Sequence, residues 1–186
     1  MFTKKVIMKI ILLLILLVSN IAFAKTKHYG PSTIEGAKIE SEMAYYGPVM
    51  IMSSEIKKDI EIYGSLNMTD CKVFGKLEVT GPINTTNTAF EKDVAIKGPI
   101  FASNSMFKKN VKMHTNAARF ENSKVLGKLS ISSKKSPYVC LQGGAELSKV
   151  EFRENKGKVY ITDKNSKVSK TNVINGEVVT ADCPEK

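Results

Sequence analysis

Tryptophan is absent from this chain, and histidine occurs only twice, at His28 and His114. Neither histidine neighbours a cysteine, an aspartate or the other histidine at ligand spacing, so the sequence offers no zinc site. The three cysteines, Cys71, Cys140 and Cys183, form no CxxC pair. Nucleophile elbow, phosphate loop and HExxH are missing as well, which removes the common frames for acyl transfer, phosphoryl transfer and metalloproteolysis. Carboxylates are not gathered on one side, as glycoside-cleaving coils require. Asp59 and Asp93 recur at one repeat position but two repeats apart, with Lys76 between them, so a paired-acid mechanism has no support. Apolar runs are equally scarce. One stretch, Ile10–Val18, is unbroken, and its nine residues are too few to span about 30 Å of hydrocarbon as a helix.

What is present instead is repetition. Glycine or asparagine recurs at positions 30, 47, 64, 81, 98 and 116, a period of 17 residues with a single one-residue slip. The copies read GPSTIEGAKIESEMAYY, GPVMIMSSEIKKDIEIY, GSLNMTDCKVFGKLEVT, GPINTTNTAFEKDVAIK, GPIFASNSMFKKNVKMH and NAARFENSKVLGKLSIS. Apolar residues occupy repeat positions 3, 5, 10, 14 and 16 in 28 of the 30 slots so defined, Ser32 and Thr85 being the exceptions. Random placement at 42% apolar would fill about 13. The pairs 3/5 and 14/16 alternate with period two and are rich in β-branched residues, which is the strand pattern. Gly-Pro at 30–31, 47–48, 81–82 and 98–99 argues against helix.

Three short strands per copy leave three corners. Gly-Pro makes one. Gly36, Asp70, Asn87, Asn104 and Asn122, residues that tolerate a left-handed backbone, make the second. Lys58-Asp59, Gly75-Lys76, Lys92-Asp93, Lys109-Asn110 and Gly127-Lys128 mark the third. Position 8 is always small (Ala37, Ser54, Cys71, Thr88, Ser105, Ser123), as an inward residue beside a tight corner must be. The expected fold is all-β: a single-stranded, three-sided parallel β-solenoid of about eight turns of about 17 residues. A β-sandwich or barrel has no reason to hold so strict a period. Stacking then predicts inward rows Ile51, Met68, Phe120 and Ile60, Leu77, Val94, Val111, Leu129, and Phe90 lying over Phe107.

Residues 1–24 have the form of a signal peptide. Lys4, Lys5 and Lys9 precede the apolar run, and Ala22-Phe23-Ala24 is a small-x-small cleavage site. The mature chain is expected to begin at Lys25, without a transmembrane anchor, in the periplasm or outside the cell. Its formal charge falls from +10 to +7, since the segment carries those three lysines and no acid. The solenoid domain is expected over 25–180, with regular turns at 30–132, irregular ones at 133–180, and a tail at 181–186. Lys25–Tyr29 reads as a polar lead-in too small to cap the coil. In the seventh turn Tyr138, Cys140, Gly143, Ala145, Val150 and Phe152 are placed at positions 3, 5, 8, 10, 14 and 16.

Four turns separate Cys71 from Cys140, about 19 Å, beyond the Cα reach of a disulfide at about 7 Å. Cys183 on the tail is the candidate partner of Cys140, pinning the tail over the end of the coil. The alternative is a buried thiol at Cys140 and an exposed Cys183 that joins two chains.

Two surface features are candidate sites. Lys57, Lys58, Lys76, Lys92, Lys108, Lys109 and Lys128 fall along one ridge, partly offset by Asp59, Glu91 and Asp93. Such a ridge fits an anionic glycan, lipopolysaccharide phosphates or a host surface, or else serves solubility alone. Nucleic acid is not expected, given export and the lack of interleaved aromatics. Tyr46 and Tyr63 share the outward position 17, either holding a sugar face or stacking on each other.

The turns Gly64-Ser-Leu-Asn-Met, Gly75-Lys-Leu-Glu-Val and Gly127-Lys-Leu-Ser-Ile resemble the bactofilin family. That resemblance covers roughly residues 30–132 and implies a three-sided β-helix that joins end to end without nucleotide. Bactofilins are typically cytoplasmic, and this chain carries an export signal and a cysteine tail. Left-handed hexapeptide helices, with 18 residues per turn in strict sixes, match less well. The expected function is an exported, non-catalytic, structural or self-assembling envelope protein needing no cofactor, with itself as partner. A secreted module binding an anionic glycan through the lysine ridge is the alternative.

Overall fold

A computed structural model describes residues 25–184. The signal-peptide expectation lies outside the described residues. Every strand pair is parallel, and the strands fall into three faces. The first face stacks nine strands, from Ser32–Glu35 and Val49–Met52 through Tyr138–Gln142 and Gly157–Ile161 to Gly176–Thr180. The second is narrow, built from two-residue strands such as Ala89–Phe90 and Met106–Phe107. The third runs from Thr26–Tyr29 through Ile60–Tyr63 and Val94–Lys97 to Val173–Ile174. Lys124–Ser132 and Glu146–Phe152 continue round the corner and serve both the second and third faces. The result is a β-solenoid of about nine turns, one more than the sequence count, and about 40 Å long. The difference starts at the lead-in. Thr26–Tyr29 is itself a strand, paired with Met43–Tyr46.

Register follows the 17-residue period. Ile60, Leu77, Val94, Val111 and Leu129 align in successive strands, and all are at most 2% exposed. Ile51, Met68 and Phe120 are buried in the facing row. Side chains exchange volume within a turn. Where position 10 is Phe90 or Phe107, position 5 is Thr85 or Ala102; where position 5 is Phe120, position 10 is Val125. A coil of constant cross-section requires this, because interiors pack to near-crystalline density. Phe90 and Phe107 stack with centroids 4.6 Å apart, and Phe120 meets Phe107 edge-on at 6.0 Å. The buried hydroxyl of Thr85 lies 2.7 Å from Ser105 Oγ, so the polar exception in the core is satisfied.

Each corner has its own chemistry. Glycines in the first slot approach one another's backbones: a Cβ on Gly81 would sit 2.2 Å from the carbonyl oxygen of Gly64, and one on Gly98 2.3 Å from that of Gly81. At the second corner Asp70, Asn87, Asn104 and Asn122 adopt φ of 43–54°. Ser53 does the same without an amide or carboxylate side chain. The small residues beside this corner do more than fit. Ser105 Oγ donates to Ser103 O (2.8 Å) and accepts from Thr88 N–H (3.3 Å), and Ser123 Oγ accepts from Ser105 N–H (2.9 Å). The row is a hydrogen-bonded spine, which is why serine and threonine recur where alanine would also fit. At the third corner Asp59 Oδ1 accepts from Lys76 N–H (2.8 Å), Asp93 Oδ1 from Asn110 N–H, and Asn110 Oδ1 from Lys128 N–H.

The seventh turn departs from the sequence reading by one to two residues. Val139 and Leu141, not Tyr138 and Cys140, align with the inward Ala118 and Phe120. Ala145 accordingly follows Ser123 at position 8 and Leu147 follows Val125 at position 10, while Gly143 takes the left-handed corner with φ 63°. Val150 and Phe152 stand opposite Leu129 and Ile131.

Candidate functional site

Three outer features follow from this register. The third corner places a lysine in each of five consecutive turns. Three of the seven ridge lysines are ion-paired: Lys57 with Glu55 (2.6 Å), Lys108 with Glu91 (3.0 Å) and Lys128 with Glu151 (2.8 Å). Lys57 also lies 3.8 Å from the centroid of Phe74. Hydrogen bonding from Lys128 holds the Glu151 carboxyl below its ordinary range, and Lys57 does the same for Glu55. Among the described residues no carboxylate lies within ion-pair distance of Lys58, Lys76, Lys92 or Lys109. The uncompensated ridge is therefore these four, on adjoining turns about 4.8 Å apart. Asp59 and Asp93 between them are occupied in capping backbone N–H groups.

The outward tyrosines form a stack of three. Tyr29, which sequence spacing missed because the lead-in was not read as a strand, lies 5.0 Å from Tyr46, and Tyr46 lies 4.9 Å from Tyr63. Interplanar angles of 14° and 5° turn the ring faces toward one another, which covers both faces of Tyr46 and leaves Tyr29, at the end of the stack, 74% exposed. Inside the same end His28 stacks on Tyr45 at 4.9 Å, and its Nε2 is buried with no partner among the described residues.

Cys140 and Cys183 are joined, with Cα atoms 5.8 Å apart. Cys140 points outward between Val139 and Leu141 yet is fully buried, because the tail folds back over it. The tail thus crosses the outside of the first face, two strands back from Gly176–Thr180, and does not close the end of the coil. Cys71 is the free thiol; burial pushes its pKa up, and its Sγ contacts Thr69 O at 3.1 Å. Beside the disulfide runs a groove of about 680 Å³, bordered by Tyr138 and Tyr160. A smaller hollow of about 300 Å³ at Phe101 and Arg119 shares Tyr138 with it. Among the described residues no three His, Cys, Asp or Glu side chains converge on a metal-sized space, and no helix is long and apolar enough to cross a membrane.

Both ends of the coil carry strands with a single neighbour. Among the described residues Ser32–Glu35 pairs only with Val49–Met52, and Gly176–Thr180 only with Gly157–Ile161. Compared with protein-family models, curated proteins and solved structures, the chain matches none.

Proposed function

We propose that this is an exported, non-catalytic, bactofilin-like β-solenoid whose molecules associate end to end. The observation that carries the reading is the pair of open ends. Each terminal turn of the described coil presents parallel strand edges with unused N–H and C=O groups, which are templates for a further strand. The two ends differ, so joining one to the other is a heterologous contact that repeats into a filament and does not close a dimer.

The edge gives a specific variant. Ser32 N–H donates to Pro48 O within the coil, so the alternate N–H of Thr33 points to the open side. Thr33→Pro removes that donor without touching an inward residue. Sedimentation velocity of the chain from Lys25 onward should show concentration-dependent species, and Thr33→Pro should shift them to monomer. Assembly undiminished by Thr33→Pro would sink the edge-pairing model.

A second reading is favoured by the four uncompensated ridge lysines: attraction of a polyanion such as lipopolysaccharide or an anionic glycan. Changing Lys58, Lys92 and Lys109 to Gln should leave stability within about 0.5 kcal/mol. Elution from a heparin column should move to clearly lower salt than with Lys156, Lys158 and Lys167 changed to Gln. Equal elution of the two triple variants would reduce the ridge to net charge. Steep salt dependence is expected, as the Debye length falls from about 10 Å at 0.1 M to about 3 Å at 1 M.

A further inference from the structure

We infer that the groove on the outer first face is a binding site for a linear acidic saccharide, seated along the coil from Phe101 to Tyr160. The groove arises from the repeat itself. Outward position 2 carries the short Pro99 and Ala117 in adjoining turns, while Phe101, Arg119 and Tyr138 beside them are long. A channel parallel to the coil axis results, and Tyr138 borders both it and the larger groove. The outward slot between Arg119 and Tyr160 is filled by the Cys140 disulfide, so the path bends past Tyr138.

The lining has the chemistry of a pyranose site. Tyr138 and Tyr160 meet nearly perpendicular, at 86° and 6.1 Å. In this edge-to-face pair the ring that presents its edge keeps both of its electron-rich faces free of the other ring, and such faces attract the polarised C–H groups of a sugar ring. Phe101 lies two turns from Tyr138, about 10 Å along the coil, and Tyr160 one turn further, so aromatic rings recur along the path that a linear polymer would follow.

Charge selects the acidic class. Among the described residues Arg119 and Lys156 have no carboxylate within ion-pair distance, whereas Lys158 is held by Glu177 at 2.9 Å. An unpaired guanidinium beside aromatic rings presents a planar fork that fits a carboxylate two bonds at a time. A sugar bearing a carboxylate, a uronic acid, uses both features together. This site is separate from the lysine ridge, which lies on the opposite corner, and does not depend on end-to-end association.

The test is calorimetric titration of the protein, purified after export from the full-length chain, with three probes: a hexameric oligogalacturonate, a neutral hexasaccharide, and inorganic phosphate. Saturable one-site binding of the acidic hexamer is expected, with the neutral hexamer and phosphate weaker by about tenfold or more. Arg119→Gln and Tyr138→Ala should each weaken the acidic hexamer by about tenfold with an unchanged melting temperature for Arg119→Gln. The triple change at Lys58, Lys92 and Lys109 should leave it unaltered. The inference is overturned if the acidic hexamer does not bind, if the neutral hexamer or phosphate binds as well, if Arg119→Gln has no effect, or if the ridge variant abolishes binding.

Discussion

Val94→Asp is expected to unfold the central turns. Val94 is 2% exposed and stacks between Leu77 and Val111, with aliphatic side chains before and after it in the row. A carboxylate there would sit in an aliphatic row, and among the described residues no lysine or arginine is buried to pair with it. An uncompensated buried charge costs on the order of 3–5 kcal/mol, a large part of what a small domain has in total. Turns are stabilised by their neighbours, so losing one removes the support of the next on each side. Ala95→Asp is the control. Ala95 is half-exposed and stands between Glu78 and Lys112, one charge of each sign, so its effect should stay within about 1 kcal/mol. Thermal melts followed by circular dichroism separate the two, and a Val94→Asp protein that melts like the parent would contradict the inward assignment.

The second large effect tests the exchange of volume within a turn. Phe107→Val is expected to cost about 2–4 kcal/mol, since the ring is fully buried and stacked on Phe90. Ala102→Phe alone overfills the same turn and should cost about 1–3 kcal/mol. The two together reproduce the next turn, where Phe120 and Val125 fill the same two places. The double variant should therefore be more stable than the sum of the single losses, by a coupling on the order of 1 kcal/mol or more. Additive losses in a chemical-denaturation series would mean that each position packs independently of the other.

These two effects rest on the part of the fold that was legible in the sequence. Stacked identical turns write their inward positions as a strict period, so the rows containing Ile60 and Ile51 are visible without coordinates. The lead-in was hidden because its inward slots are Thr26 and His28, polar residues at an open end. The seventh turn was hidden for a different reason. Tyr138, Val139, Cys140 and Leu141 form a continuous apolar run, and period two cannot say which pair faces in. What decides it is the tail: Cys183 covers the outward side of Cys140 and permits an apolar residue there. The offset between aligned residues also changes, from 17 between Leu77 and Val94 to 23 between Val150 and Val173, so spacing ceases to predict register.

The surface was legible only by position. Sequence spacing put seven lysines on one corner, but it could not show that Lys128 meets Glu151, which depends on a shifted register. The groove was not legible at all, because Phe101, Arg119, Tyr138 and Tyr160 come from four turns with three different spacings between them. Their chemistry emerges only when the turns are stacked.

End-to-end association is tested most directly by electron microscopy of the purified chain from Lys25 onward at micromolar concentration. The account predicts unbranched filaments one coil wide with an axial repeat of about 40 Å, the length of about nine stacked turns. Uniform single rods of that length, unchanged as concentration is raised, would contradict it.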